Sequence, residues 1–183
     1  MVGLHRALGS QRYLAALALV TAVLGGAVES ARAAKDTTPL SVSGLPVPRY
    51  VSLKSDHVNV RAGPTKDQDV SWIYTRAGLP VEVTAEYENW RRVRDSEGSE
   101  GWVYHSLLSG RRTAVVTMKN KDDLAPLYER ADSSSAIAAR LQAGVLAQVK
   151  RCNNGWCRVT GNGFDGWIEQ QRLWGVYSDE KLD

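Results

Sequence analysis

The chain has 183 residues, with 23 Lys and Arg against 20 Asp and Glu, a formal net charge of +3. The segment 1–33 holds three of the basic residues and one of the acidic residues, so the remainder of the chain is almost balanced in charge. This near-balance excludes the basic footprint of a nucleic-acid-binding protein, and we expect no nucleic-acid partner. Six Trp and seven Tyr stand against one Phe, a balance that favours aromatic rings packed at one edge and hydrated at the other.

The N-terminal segment has the pattern of an export signal. Basic residues precede an apolar run over 13–28, and Ala31 and Ala33 supply the small residues that a signal peptidase requires. The run is interrupted by Gly25-Gly26 and is shorter than the ~20 apolar residues of a spanning helix. We therefore predict a signal peptide over 1–33 and an exported chain, periplasmic or extracellular, that does not span the membrane after cleavage. A retained signal is the alternative.

Short strands separated by turn residues follow a leader. Residues 34–48 are rich in Thr, Ser, Pro and Gly, which predicts a flexible segment. A first module is predicted over 49–112, in which Val81 and Val83 alternate with polar residues as in a half-buried strand. Its other predicted strands are Val58 to Arg61, Trp72 to Tyr74, Trp90 to Arg94 and Gly101 to Tyr104. No sustained helical period interrupts them, so the pattern predicts a small all-β barrel.

The sequence motifs of the first module recur in the second half of the chain. Trp90 and Val93 recur as Trp156 and Val159, and the Gly-Trp phrase that follows them recurs with a spacing shorter by one position. One deletion therefore lies in the turn between the two phrases, as expected of a duplicated domain. The second module is predicted over 113–177, followed by a disordered tail over 178–183. Residues 136–146 contain helix-favouring Ala, Leu and Arg, but their register with the first copy predicts a strand and a turn.

Cys152 and Cys157 are the two cysteines of the chain. In an exported protein a pair this close predicts a structural disulfide, worth about 2 kcal/mol in the chain-entropy model. A zinc site would need two more ligands, and we expect no metal and no cofactor. The equivalent positions of the first copy are Glu86 and Arg91. We predict that an exposed cross-strand ion pair replaces the disulfide there, worth roughly 0.2 to 1 kcal/mol.

With both phrases placed, the chain resembles a tandem of bacterial SH3 domains, which are small extracytoplasmic barrels often found in cell-envelope proteins. The resemblance covers about residues 50–177 and is similar in detail to an exported two-module family of undefined activity. It rests on Asn59-Val60-Arg61-Ala62-Gly63-Pro64, on Gly78 before Val81-Glu82-Val83, on Trp90 to Val93 and on Gly101-Trp102-Val103. The resemblance implies two tandem SH3-like β-barrels.

The resemblance also implies a binding surface. In peptide-binding SH3 domains a Trp at the place of Trp90 lines the groove, and alternation along the strand puts Arg92 and Arg94 on its face. A tryptophan beside two arginines is suited to an extended peptide or to the apolar face of a sugar. Trp72 and Tyr74 extend this surface, and Trp156 is the equivalent of Trp90 in the second copy. The loop that reads proline-rich peptides is replaced by Arg61-Ala62-Gly63-Pro64, so that specificity does not carry over.

Other features favour structural roles. Trp102 and Trp167 each follow a Gly on the last barrel strand, and we predict that they pack rather than bind. Five arginines could form a basic patch that binds anionic glycan or lipid headgroups. Asp and Glu residues are interleaved with them in the sequence, and we predict that these acids neutralise the patch. The arginines of that patch are Arg91, Arg92, Arg94, Arg111 and Arg112.

We therefore expect a non-enzymatic binding module. Both cysteines are used in the disulfide, and no serine lies in a Gly-x-Ser-x-Gly elbow. The first hypothesis is binding of peptidoglycan stem peptides or glycan near Trp90, Arg92, Arg94 and Tyr74. The second is a structural or regulatory partner of another envelope protein, or a self-associating one. Because the aromatic strand of the first copy becomes Ile137-Ala138-Ala139 in the second, we expect the first module to carry the interaction.

Overall fold

The computed structural model describes residues 41–183 except residue 121. The predicted signal peptide and most of the predicted leader lie outside these residues. The regular elements of the described chain are β-strands and two single 3₁₀ turns, His105–Leu107 and Gln170–Arg172. No helix in this part of the chain is long and apolar enough to cross a membrane.

The first module is a seven-stranded antiparallel sheet. Its strands lie in the order β3-β2-β6-β5-β4-β1-β7. They are β1 (Arg49–Leu53), β2 (Val58–Arg61), β3 (Val70–Tyr74), β4 (Pro80–Tyr87), β5 (Trp90–Arg94), β6 (Glu100–Tyr104) and β7 (Leu108–Ser109). The core is made almost entirely of valines, with Val58, Val60, Val81, Val83 and Val93 fully buried, because period-2 alternation puts them on one face of curved strands.

The second module repeats this topology strand for strand. Its order is β10-β9-β13-β12-β11-β8-β14, which is the order of the first sheet with seven added to each strand number. The strands are β8 (Thr113–Val116), β9 (Leu124–Tyr128), β10 (Ile137–Gln142), β11 (Leu146–Asn153), β12 (Trp156–Gly161), β13 (Phe164–Glu169) and β14 (Leu173–Trp174). The predicted all-β fold of two tandem SH3-like barrels is confirmed, and so is the prediction of a strand in residues 136–146.

A β-bulge occurs at the same place in both modules. The pairing of β4 with β5 shifts between Val83 and Ala85, and that of β11 with β12 shifts at the equivalent position of the second copy, between Val149 and Arg151. An extra residue reverses which side chains point inward. Beyond the bulge Glu86 is therefore turned inward with its side chain 1% exposed, whereas its neighbour Tyr87 is 50% exposed.

In both hairpins, a pair of inward-facing residues directly after the bulge links the two strands. Cys152 and Cys157 are cross-strand partners joined by a disulfide. In the first module Glu86 is the partner of Arg91, and Arg91 Nε lies 3.0 Å from Glu86 Oε1. The predicted exchange of a disulfide for an ion pair is confirmed. The prediction that this pair is exposed is wrong, because the bulge buries both side chains.

The modules are joined through a polar and aromatic contact. Thr113 Oγ1, on the first strand of the second module, donates a hydrogen bond of 2.6 Å to the carbonyl oxygen of Gly78. The ring of Tyr50 on β1 lies 5.3 Å from that of Trp174 and 4.7 Å from that of Tyr177. Tyr177 Oη donates to Glu82 Oε1 at 2.9 Å. The C-terminal end of the second module is thus packed on strands of the first.

The C-terminal residues do not form the disordered tail predicted for 178–183. The backbone N–H of Cys152 donates to the carbonyl of Leu182 at 2.9 Å, and that of Leu182 donates to the carbonyl of Cys152 at 3.0 Å. Arg112 Nη2 donates to Glu180 Oε2 at 2.9 Å. Charged residues that look solvated in the sequence are here fixed by partners far away along the chain.

Candidate functional site

Trp90 lies in a cross-strand row of aromatic residues on the outer face of β4, β5 and β6. Its Cα partners are Tyr87 on β4 and Tyr104 on β6. The Tyr104 ring packs edge-on against it at 5.4 Å and 83°. Only 7% of Trp90 is exposed. Although Trp90 lies on the face predicted for it, its neighbours cover it, so it offers little surface to a ligand.

Trp102 occupies the next row of the same face. Its Cα partners are Arg61 on β2 and Arg92 on β5. We call Arg61, Trp102 and Arg92 the arginine–tryptophan row. Trp102 is partly exposed and points away from the core that its neighbour Val103 joins. We predicted that Trp102 packs and that Trp90 binds, and the exposures are the reverse of that prediction.

The arginines of this face are matched by acids. Arg92 Nη2 lies 2.6 Å from Glu100 Oε2, and Arg94 Nε donates to Glu82 Oε2 at 3.0 Å. The hydrogen bond and charge of Glu82 raise the pKa of Arg94. The predicted neutralisation of the basic patch therefore holds for these two arginines. Each arginine side chain nevertheless stays about half exposed, at 49% for Arg92 and 44% for Arg94, and can still present donors to a ligand.

Trp72 and Tyr74 lie away from Trp90. Both pack against the valine core of the first module, with their rings 6.0 Å apart. Trp72 passes over Gly101, where a Cβ would lie 3.1 Å from the indole. Tyr74 Oη donates to Asp95 Oδ2 at 3.1 Å. Burial, followed by the charge of Asp95, raises the pKa of Tyr74.

Tyr74 and Trp90, which were predicted to share one binding surface, lie near opposite ends of β5. Asp95 directly follows the end of β5, whereas Trp90 begins that strand, so they are separated by roughly five residues at about 3.3 Å each. Tyr74 and Trp90 therefore do not converge on one ligand-sized site. Arg92 lies between these two ends and belongs to the arginine–tryptophan row.

The second module has a different set of residues at the equivalent face. Trp156 packs edge-on against Tyr128 at 5.5 Å. The row equivalent to the arginine–tryptophan row consists of Tyr128, Trp167 and Arg158. Tyr128 thus replaces Arg61, and Arg158 is held by Asp165 at 2.9 Å. The second face has one arginine where the first has two.

No metal site is found in the described part of the chain, where no three His, Cys, Asp or Glu side chains cluster closely enough to hold an ion. The ring of His105 lies 5.1 Å from that of Tyr104, tilted by 46°.

Two small antiparallel barrels of identical topology, each closed around an aliphatic core, define a tandem β-barrel protein. The sequence profile of the bacterial SH3 domain matches residues 54–110 and 121–175, together more than half of the chain. The chain therefore belongs to the bacterial SH3 domain family. Family membership and the disulfide are both consistent with an exported protein.

Solved structures with limited similarity come from the NlpC/P60 group. NlpC2 and NlpC1 from Trichomonas vaginalis are each 16% identical to this chain, with TM-scores of 0.31. The matches cover 69% and 74% of this chain but 48% and 50% of those chains. An NlpC/P60 family protein from Bacillus cereus is 14% identical with a TM-score of 0.27, over 68% of this chain and 55% of that one. The chain thus spans about half the length of these structures. No curated protein matches it significantly.

Proposed function

We propose that this protein is an exported, non-enzymatic binding module of the cell envelope, and that it holds peptidoglycan, as stem peptide or glycan, on the first barrel. The family membership supports an envelope role. The carrying observation is the arginine–tryptophan row, in which a partly exposed indole lies between two arginines on neighbouring strands. An exposed indole offers a flat apolar surface, and the flanking guanidinium groups offer fixed donors.

The second barrel braces the first in this proposal. Its equivalent row has Tyr128 in place of Arg61, and its arginine forms a two-point contact with Asp165, at 2.9 and 3.0 Å. Of the two faces, the first therefore has more donors for a polar ligand. This difference gives a matched pair of variants, because Trp102 and Trp167 occupy equivalent positions in the two barrels.

The test is co-sedimentation of the purified protein with purified peptidoglycan sacculi. We expect the wild type and Trp167→Ala to be retained. Trp102→Ala should bind roughly tenfold more weakly, as expected for loss of a central aromatic contact. Trp90→Ala is a poor probe, because removal of a buried Trp destabilises a domain by about 3 to 5 kcal/mol. Equal retention of Trp102→Ala and wild type would exclude the arginine–tryptophan row as the site.

A protein partner is the second candidate function. Strand β3 is at the edge of the first sheet, where β2 is its one partner among the described strands. Val70 and Ile73 on this strand are 41% and 42% exposed. An edge strand with exposed apolar side chains is suited to pairing with a strand of another protein.

The edge-strand candidate predicts no affinity for sacculi and one specific crosslinked species in the envelope. Ile73→Lys should abolish that species, because a charge on an edge strand opposes pairing. Lys66→Gln, in the exposed loop before β3, serves as the control and should leave it unchanged.

A further inference from the structure

A cleft of about 470 Å³ lies between the two modules. The first module contributes Leu53, Lys54 and Arg111 among others, and the second contributes Leu146, Gln148 and Thr160. Its volume is within the range of about 300 to 1,000 Å³ that is usual for small-molecule sites. Neither module alone forms it.

Contacts between the modules fix the walls of this cleft. Thr113 Oγ1 donates to the carbonyl of Gly78, and Arg76 Nη1 donates to the carbonyl of Gly144 at 3.1 Å. A Cβ on Gly78 would lie 3.3 Å from Leu146 Cδ2, so the two walls approach closely at the glycine. A cleft with walls held in this way is preorganised, which lowers the entropic cost of binding a ligand.

The charged side chains that line the cleft are all positive. Lys54 and Arg111 line it, and no Asp or Glu does. Lys54 Nζ donates to the carbonyl of Ser106 at 3.2 Å, which leaves donors of its ammonium group free for a ligand.

Arg111 differs from the other arginines of the predicted basic patch. Arg91, Arg92, Arg94 and Arg112 each contact a carboxylate. Arg111 is exposed, and within the described residues its guanidinium contacts no carboxylate. Its charge is therefore available at the cleft, and a guanidinium is well suited to two-point binding of a carboxylate.

We propose that the cleft between the modules binds a short peptide by its terminal carboxylate, with Arg111 and Lys54 as the residues that contact the carboxylate. Ala77, Leu146 and Ala147 give the cleft apolar walls that suit small aliphatic side chains. Gln148 and Thr160 supply polar groups for the peptide backbone. These walls favour a peptide over inorganic phosphate, which has no apolar part to bury.

This site goes beyond the proposed function, because no member of the arginine–tryptophan row lines the cleft. The two proposals therefore fail separately. Wild-type retention of Trp102→Ala on sacculi would exclude the row as a site and leave the cleft proposal standing. Absence of peptide binding in the cleft would leave the row proposal standing.

The experiment is an NMR titration of the ¹⁵N-labelled protein with N-acetyl-Ala-Ala-Ala, which has a free carboxylate, and with its C-terminal amide. We expect saturable shifts of the amides of Gly78, Ala147 and Thr160 with the acid and no saturation with the amide. Arg111→Gln should weaken binding of the acid by about tenfold, the effect of losing a hydrogen bond to a charged group. Lys66→Gln removes the same charge outside the cleft and should have no effect, and Trp102→Ala should also bind normally.

A second variant protects the test against a folding artefact. Ala77 is exposed and lines the cleft, so Ala77→Glu should keep the fold and repel the carboxylate, weakening binding at least as much as Arg111→Gln. Equal affinity for acid and amide, or wild-type binding by both cleft variants, would overturn the proposal. Inorganic phosphate producing the same shifts at equal or lower concentration would also overturn it, because the apolar walls would then contribute nothing.

Discussion

Glu86 on β4 is a buried carboxyl group with several hydrogen-bond donors around it. Burial alone would raise its pKa. Opposing this, the N–H and Oγ of Ser43 each donate to it at 2.8 Å, and Arg49 Nη2 donates at 2.7 Å. These donors, together with the nearby Ser41 hydroxyl, outweigh the burial and lower the pKa of Glu86 from 4.5 to about 2. Residues 41–48 are in this way attached to β4.

This lowered pKa predicts acid-dependent stability. Because the folded-state pKa is below the ordinary value, the carboxylate stabilises the fold fully above about pH 4.5, and this stabilisation is lost as the pH falls towards 2. Between pH 6 and pH 2.5 the loss is roughly 2 to 3 kcal/mol, at 1.36 kcal/mol for each pKa unit and with part of the carboxylate still ionised at pH 2.5. Urea denaturation measures the free energy of unfolding at pH 6 and at pH 2.5. The decrease between these two pH values should be larger by this amount in wild type than in Glu86→Gln. Glu97→Gln, in an exposed turn, should behave as wild type.

At the scale of the hairpin, the same backbone geometry accommodates two chemically different cross-strand links, an ion pair and a disulfide. Glu86 and Arg91 face each other as Cys152 and Cys157 do, and each pair follows a bulge at the equivalent place in its own module. The requirement shared by both pairs is a close inward-facing cross-strand contact. A cross-strand pair of this kind can be exchanged if the backbone remains the same.

We therefore expect Glu86→Cys/Arg91→Cys to form a second disulfide under oxidising conditions. Oxidation should stabilise this variant by about 2 kcal/mol relative to its own reduced form, because it closes a short loop in the unfolded chain. Non-reducing peptide mapping identifies the link, and urea denaturation with and without reductant measures the stabilisation. Thiols that stay free after oxidation would show that the two hairpins differ in backbone geometry.

The elements were predictable because their signals are local. Val81 and Val83 alternate with polar residues, and Gly-Trp phrases recur, so the strands and the duplication can be deduced from the sequence alone. Exposure on the outer face was not predictable in the same way. Trp90 and Trp102 share that face, but Tyr87 and Tyr104 flank Trp90 across the strands and leave it 7% exposed. Alternation predicts a face, whereas neighbours on other strands decide how much of each side chain is covered.

The bulge in β4 also limits what can be predicted from the alternation of side chains along a strand. Unbroken alternation from Val83 would bury Tyr87 and expose Glu86, and the structure has the reverse. An extra residue in one strand leaves no compositional mark in the sequence. The position of the ion pair was nevertheless predictable, because the cysteines of the second copy indicate which two residues face each other.

At the scale of the whole molecule, the contact between the modules depends on residues distant in sequence. Tyr177 reaches Glu82 and Tyr50 from the far end of the chain. Burial, followed by the charge of Glu82, raises the pKa of Tyr50 to about 12. Two modules could be counted in the sequence. The cleft between them could not be predicted, since each wall comes from a different module.

Gly175 lies where this contact leaves no room for a side chain. It has φ +118°, and a Cβ there would clash with the carbonyl oxygen of Thr113, lying also 2.9 Å from Ala114 Cα and 3.0 Å from Pro80 Cβ. Two of these neighbours belong to the second module, and Pro80 begins β4 of the first. A side chain at this position would therefore push apart the strands that carry the contact between the modules.

We expect Gly175→Ala to destabilise the protein by about 2 kcal/mol or more, because it combines backbone strain with a clash against backbone atoms. Calorimetry should show one unfolding transition in wild type and two in the variant, since separated modules unfold independently. Gly110→Ala is the matched control, because a Cβ on Gly110 meets nothing within 4 Å. A single wild-type-like transition in Gly175→Ala would contradict this prediction and would show that the contact between the modules tolerates a side chain at this position. Two transitions, together with loss of peptide binding in the cleft, would tie that site to the contact between the modules.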